Sequence, residues 1–137
     1  MLKKLLRTPS LDIRVCDSFY KRAVGILPDQ PLGVRASVWL DRCSMVHTFG
    51  MRQPLSLLFL SEDLKPLKWQ SPAKPWRVYR QSGAHAVIEM AYRAPAEREV
   101  IEKEIMARLD RLKLAENILI RRIEARIQNA TKHNIYR

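Results

Sequence analysis

After Pro95 the chain contains neither glycine nor proline as far as about residue 131, and strong helix formers dominate this segment. Because glycine and proline are the residues that most often interrupt helices, the segment predicts one long helix. Glutamates crowd its beginning and arginines lie toward its end, which complements the helix macrodipole. A helix of about 36 residues spans about 54 Å at 1.5 Å per residue. Part of it must therefore project from a small domain, bend back or meet a partner.

Apolar residues recur along this predicted helix every three, four or eight positions and form a stripe that has to be covered. The cover is either the rest of the chain, a second copy or another protein, and we predict a partner or homo-oligomer contact. The residues predicted to make that contact are Leu112, Ile120, Ile123 and Ile127. A helix lying on a membrane surface is a weaker alternative, because Glu116 and Glu124 interrupt the positive face.

The part before Pro95 predicts several short strands and one short helix. Asp17 and Ser18 can cap a helix over residues 19–24, which Gly25 and Pro28 would end. Alternating or continuously apolar segments predict the strands, and the most apolar of them, 55–60, should be central. The predicted strand segments are 11–15, 36–40, 55–60, 67–70, 76–79 and 84–90. We predict the α+β class: a small, mostly antiparallel β-sandwich or barrel with a short N-terminal helix and a long C-terminal helix.

Length and composition limit the organisation and the location of the protein. A chain of 137 residues suits one folded core, and we divide it into a β-rich part, 1–94, and a helical extension, 95–137. The apolar run in the basic N-terminal segment is too short for a signal peptide, and no segment resembles a membrane span. Cys16 and Cys43 are expected to be reduced thiols in the cytoplasm. A net charge of +11 favours phosphates, anionic lipids or acidic proteins as partners.

One ordered series of short motifs resembles a known family. Residues 43–60 contain His-x-Phe-Gly-Met from His47 to Met51, followed by Pro-Leu and an apolar strand. The other matching elements are an Arg-x-x-Gly-Ile element at 22–26, a proline-containing loop at 74–76 and a Glu-containing closing strand at 84–90. Over residues 11–92 or so, the chain resembles the domain-of-unknown-function 192 family, also called uncharacterised protein family 0127.

The resemblance implies a small, mostly antiparallel β fold with a short helix and a bacterial origin, but no established activity. Two departures from the family pattern stand out. The family usually has aspartate where this chain has Ser56, which suggests a lost or altered site. The family's usual last strand is also replaced here by the long helix.

The sequence assigns no catalytic residue, metal ligand or cofactor. Cys43, His47 and Met51 could bind a soft metal, yet their four-residue spacing aligns them only on a helix, which Gly50 argues against. Cys43 and His47 could also act as nucleophile and base with Asp41, but no glycine elbow accompanies them. We therefore predict a non-enzymatic protein. The residues predicted to form its binding surface are His47, Phe49, Met51 and Trp76.

Nucleic-acid binding, and RNA binding in particular, is the alternative function. Tryptophans are interleaved with lysines and arginines between residues 39 and 80, and aromatic rings can stack on bases beside phosphate contacts. The residues predicted for this role are Lys68, Trp69, Lys74 and Arg77. A third and weaker alternative is a small-molecule or metal-binding protein.

Overall fold

The structure, a computed structural model, describes residues 5–135. Residues 1–4, which open the basic N-terminal segment, and residues 136–137 lie outside the described part. The strands are β1 (Leu5–Arg7), β2 (Asp12–Cys16), β3 (Ala36–Asp41), β4 (Met45–His47), β5 (Leu55–Ser61), β6 (Pro66–Ala73), β7 (Val78–Arg80) and β8 (Ala84–Ala91). The helices are α1 (Phe19–Val24) and α2 (Arg98–Ile135), with 3-10 turns at Leu27–Asp29 and Pro95–Glu97.

Six strands form one open mixed sheet in the order β1-β2-β3-β8-β5-β6, and β4 and β7 pair in a second, two-stranded sheet. Only β2 and β3 run parallel among the pairs of the described residues. The predicted α+β class with a short and a long helix is therefore confirmed. The barrel alternative is wrong, because β1 and β6 lie at opposite edges of the sheet and do not close it.

The short helix α1 links the two parallel strands, and local signals set both of its ends. The Ser18 hydroxyl accepts a hydrogen bond from the Lys21 amide at 3.2 Å and caps the N-terminus. At the C-terminus, the Gly25 amide donates to the Lys21 carbonyl, and Gly25 adopts φ 51° and ψ −128°. This backbone conformation is accessible almost only to glycine. The predicted helix over residues 19–24 is confirmed.

Each face of the six-stranded sheet is buried. β5 lies between β8 and β6, one strand in from the edge, and its residues 55–60 are all buried. The predicted burial of this strand is confirmed, although β3 and β8 are the two central strands. Side chains alternate between the two faces along each strand. The first face carries Val38, Leu40, Leu55, Leu57, Phe59 and Val87, which form a core with Val46 and Met51. The second face carries Trp39, Leu58, Leu60, Ile88 and Met90.

The edge strands differ from the centre of the sheet. β1 is only three residues long, and β6 contains Pro66 and Pro72. β6 pairs with β5 with two irregularities in register, and its side chains are mostly exposed or half-buried. The long buried strands therefore occupy the middle of the sheet, where both faces are covered.

The chain divides into two compact units, Met1–Ile105 and Met106–Arg137. The first unit includes the opening turns of α2, where Ile101 and Ile105 are buried. The Glu104 carboxylate secures these turns by accepting hydrogen bonds from the Thr8 hydroxyl and from the amide and hydroxyl of Ser10. The second unit is helical from Met106 to Ile135.

Candidate functional site

Three of the predicted binding residues form one exposed cluster on the first unit. The ring centroids of His47 and Phe49 lie 5.1 Å apart in a stacked arrangement. The centroids of Phe49 and Trp76 lie 6.1 Å apart with tilted planes. Phe49 is 45% exposed and Trp76 is 63% exposed. We call His47, Phe49 and Trp76 the aromatic surface. The fourth predicted residue, Met51, is buried in the core and does not belong to it.

Thr48 joins the two chain segments that carry the aromatic surface. Its side-chain hydroxyl donates to the Lys74 carbonyl at 2.6 Å and accepts from the Arg77 amide at 2.9 Å. Its backbone carbonyl accepts from the Trp76 amide at 3.0 Å. Thr48 is completely buried. One threonine therefore fixes the 74–77 loop against the segment that bears His47 and Phe49, a role that the sequence analysis missed.

The backbone of Trp76 is held in the left-handed region, with φ 61°. A bulky residue in this region costs about 1–2 kcal/mol, and a mostly exposed ring regains little of that by packing. Backbone strain at an exposed residue is typical of functional surfaces. This backbone conformation and the hydrogen bond to Thr48 together present the Trp76 ring at the surface.

Both ring nitrogens of His47 are occupied. Nδ1 accepts a hydrogen bond from the Phe49 amide at 3.2 Å, so it carries no proton in this arrangement. Nε2 lies 2.9 Å from the Ala23 carbonyl, which can only accept, so Nε2 is the protonated nitrogen. For His47 to bind a metal ion or to act as a general base, one of these two hydrogen bonds would first have to break. His47 instead anchors the aromatic surface to α1.

The contacts of Cys43 do not fit the metal site or the catalytic nucleophile considered in the sequence analysis. The Cys43 thiol donates to the Met45 carbonyl at 3.0 Å. Burial raises the pKa of this thiol, which disfavours the nucleophilic thiolate. Among residues 5–135, no group of three or more histidine, cysteine, aspartate or glutamate side chains is placed to hold a metal ion.

The residues predicted for nucleic-acid binding are divided between different parts of the first unit. Lys74 and Arg77 are exposed and flank Trp76, and an Arg77 guanidinium nitrogen donates to the Trp76 carbonyl at 3.2 Å. Lys68 and Trp69 are half-buried neighbours on β6, where side chains alternate, so they point to opposite faces of the sheet. The structure thus places only Lys74 and Arg77 beside the aromatic surface.

A buried carboxyl group lies beneath the end of α1. Glu89 on β8 is 4% exposed, and its Oε2 accepts a hydrogen bond from the Ile26 amide at 3.1 Å. Burial raises the pKa of Glu89 to about 7, while the Ile26 hydrogen bond and the charge of Arg14 act in the opposite direction. A Cβ atom on Gly25 would lie 2.7 Å from Oε2. The space beside the bend after α1 is therefore occupied by this carboxyl group, and a side chain at position 25 would collide with it.

Ser56, where the resembled family usually has aspartate, makes structural contacts in this chain. Its hydroxyl lies 2.6 Å from the Ser71 hydroxyl and accepts from the Arg93 amide at 2.9 Å. The side chain is completely buried. Serine at this position therefore links β5 and β6 to the segment that follows β8.

The second unit exposes large apolar side chains along its helix. Ile120 is 46% exposed, Ile123 is 48% exposed and Ile127 is 60% exposed, whereas Leu112 is half-buried. With 3.6 residues per turn, these four predicted contact residues lie within about 80° of one another around the axis. Leu119, at 57% exposed, lies beside them and was missed by the sequence analysis. Leu119 lies seven residues after Leu112 and four before Ile123, and this helical spacing could have identified it from the sequence.

Comparison with known proteins shows the fold and nothing more specific. No family model matches the chain, and no curated protein matches it. A protein of unknown function from Novosphingobium aromaticivorans DSM 12444 has a TM-score of 0.56 at 16% identity, covering 65% of this chain and 67% of that chain. A proposed transcription regulator from Sinorhizobium meliloti 1021 has a TM-score of 0.55 at 18% identity, covering 64% of this chain and 77% of that chain.

Neither helix of the described residues combines the length and the apolar character that crossing a membrane requires.

Proposed function

We propose that this chain is a non-enzymatic binding and assembly protein of the cytoplasm that associates with a second copy through the helix of its second unit. The observation that carries the proposal is the exposure of large apolar side chains along that helix. Ile120, Ile123 and Ile127 are each between 46% and 60% exposed. The free thiols of Cys16 and Cys43 are in keeping with a reducing compartment.

Helix energetics support association. Most of the stability of a helix in a protein comes from packing its apolar face, because propensity alone is marginal. Contiguous apolar patches beyond a few hundred Å² are rare on monomeric proteins and mark interaction sites. Burial of apolar surface contributes roughly 25 cal/mol per Å². Pairing with a second copy would supply the missing cover.

Replacing both Leu112 and Ile123 with aspartate should convert the associated protein to a monomer. Each substitution places a charge where apolar side chains would meet, and the unpaired charge resists burial. Light scattering on the eluting peak measures the mass, and circular dichroism with tryptophan fluorescence reports whether the first unit stays folded.

Asn117→Asp combined with Gln128→Asp is the matched control, since it adds two carboxylates to the opposite side of the same helix. The control should keep the wild-type mass. A monomeric wild-type protein, or an unchanged mass in the Leu112→Asp/Ile123→Asp variant, would count against the proposal.

Single-stranded RNA binding at the aromatic surface is the second candidate function. The exposed stack of His47, Phe49 and Trp76 beside Lys74 and Arg77 supports it, as does the net charge of +11. Stacking of a base on an aromatic side chain contributes about 1–3 kcal/mol per base. Phosphate contacts would add a salt-dependent attraction.

Trp76→Asn should weaken binding of a single-stranded oligonucleotide by about tenfold or more, because it removes a stacking platform. Asparagine tolerates the left-handed backbone, so the fold should be retained. Fluorescence anisotropy at several salt concentrations measures the affinity, and Tyr92→Asn is the control at an exposed aromatic residue outside the aromatic surface. Equal affinities for the two variants, or no binding by the wild-type protein at low salt, would exclude this function.

A further inference from the structure

The exposed helix contains a regular seam with one acidic and one basic member. Its spacing of four, three, four, three and four residues is that of coiled-coil core positions. The seam residues are Leu112, Glu116, Leu119, Ile123, Arg126 and Ala130. Glu116 is second from one end of the seam, and Arg126 is second from the other. The two charged positions are thus related by reversal of the seam.

Glu116 and Arg126 are exposed, and neither forms an ion pair or hydrogen bond with any described residue of its own chain. They are ten residues apart, which is about 15 Å along a helix, so they cannot reach each other within one copy. Each charge therefore lacks a partner in the single chain, on the side of the helix where the apolar seam residues also lie.

Resting on the self-association proposed above, we infer that two copies of this helix pair antiparallel, with Glu116 of each copy facing Arg126 of the other. In that register Leu119 faces Ile123 of the second copy, and Leu112 faces Ala130. A parallel pair would instead place Glu116 against Glu116 and Arg126 against Arg126. Like charges facing each other in an interface disfavour that arrangement. The two seam charges therefore favour pairing with a second copy of this helix, and antiparallel pairing over parallel pairing.

Residues beside the seam fit the same arrangement. Ile120 and Ile127 flank it on one side and are both exposed. They widen the apolar stripe, so the ion pairs would be shielded from water along that side. Charged pairs within a coiled-coil seam contribute orientation and specificity more than stability. The apolar positions hold the two copies together, and Glu116 with Arg126 sets the alignment.

Charge reversal tests the alignment in the full-length protein. Glu116→Arg should raise the dissociation constant of the dimer by about tenfold or more, because two arginines then face two arginines. Arg126→Glu should have a similar effect through facing glutamates. The double variant Glu116→Arg/Arg126→Glu restores opposite charges in both pairs, so its dissociation constant should return to within about threefold of wild type. Sedimentation equilibrium across a dilution series measures all three.

Two controls reverse the same charges away from the seam. Glu124→Arg and Arg121→Glu lie about 100° and 160° around the helix from Ile123, and neither should shift the dissociation constant by more than about threefold. Circular dichroism verifies that each variant is folded.

The outcomes separate the two proposals. Weakened single variants with a restored double variant support the antiparallel register. If Leu112→Asp/Ile123→Asp gives a monomer while the single charge variants behave like their controls, self-association holds and the antiparallel register is wrong. If the double charge variant stays as weak as the single variants, the register is also wrong. A wild-type protein that is monomeric throughout overturns both proposals.

Discussion

Gly25→Ala should lower the free energy of unfolding by about 3 kcal/mol or more. Gly25 has φ 51° and ψ −128°, a conformation that side chains with a Cβ rarely adopt. The added Cβ would also lie 2.7 Å from Oε2 of Glu89. Displacement of that buried carboxyl group would break its hydrogen bond with the Ile26 amide. The free-energy cost of the backbone strain therefore adds to that of the lost buried hydrogen bond.

Urea denaturation followed by tryptophan fluorescence measures this loss. Gly33→Ala is the matched control, because no atom lies within 4 Å of an added Cβ there and its φ is not in the left-handed region. The control should leave stability unchanged or raise it by up to about 1 kcal/mol, since alanine restricts the unfolded chain. Equal stabilities for the two variants would contradict the fit between Gly25 and Glu89.

Glu89→Gln should stabilise the protein at pH 8 and leave it nearly unchanged at pH 4. Burial raises the folded-state pKa of Glu89 to about 7 from its ordinary value of 4.5. For a raised pKa, the stabilising contribution is fully present below the unfolded value and is lost as pH rises through the folded value. The shift corresponds to roughly 3 kcal/mol at most. Glutamine keeps an oxygen that accepts from the Ile26 amide and never ionises.

Denaturation midpoints between pH 4 and 8.5 provide the measurement. The wild-type protein should lose stability relative to Glu89→Gln across the interval between the two pKa values. Glu62→Gln serves as the control for removal of an exposed carboxylate. Parallel pH profiles for wild type and Glu89→Gln would mean that Glu89 ionises in the folded protein as readily as in the unfolded chain.

Local signals predicted the elements that depend on a few neighbouring residues. Ser18 and Gly25 bounded α1, and the apolar run of β5 indicated a strand with both faces buried. β4 escaped prediction because three residues are too few for a recognisable alternation, and its only strand partner among the described residues is β7, more than 30 positions later. Closure into a barrel could not be decided, because it depends on how the edge strands β1 and β6 meet.

All three residues of the aromatic surface were predicted, together with Met51, which is buried in the core instead. The contacts that bring them together were not predicted. His47 and Phe49 belong to one short motif, but Trp76 joins them through contacts of Thr48 with residues 26 to 29 positions away. Trp69 was predicted for the nucleic-acid alternative, and it lies on β6 of the six-stranded sheet, whereas Trp76 lies in the 74–77 loop. Membership of the domain-of-unknown-function 192 family stays a prediction.

The edges of the six-stranded sheet limit the ways in which two copies can associate. A free edge strand normally offers a row of amide and carbonyl groups to a strand from another molecule. Here β6 carries Pro66 and Pro72, which lack the amide hydrogen. Proline on an edge strand is one of the means by which natural sheets resist edge-to-edge joining and fibril growth. Concentrating this protein should therefore favour discrete oligomers, formed through side-chain contacts such as those of the helix, over β-aggregates.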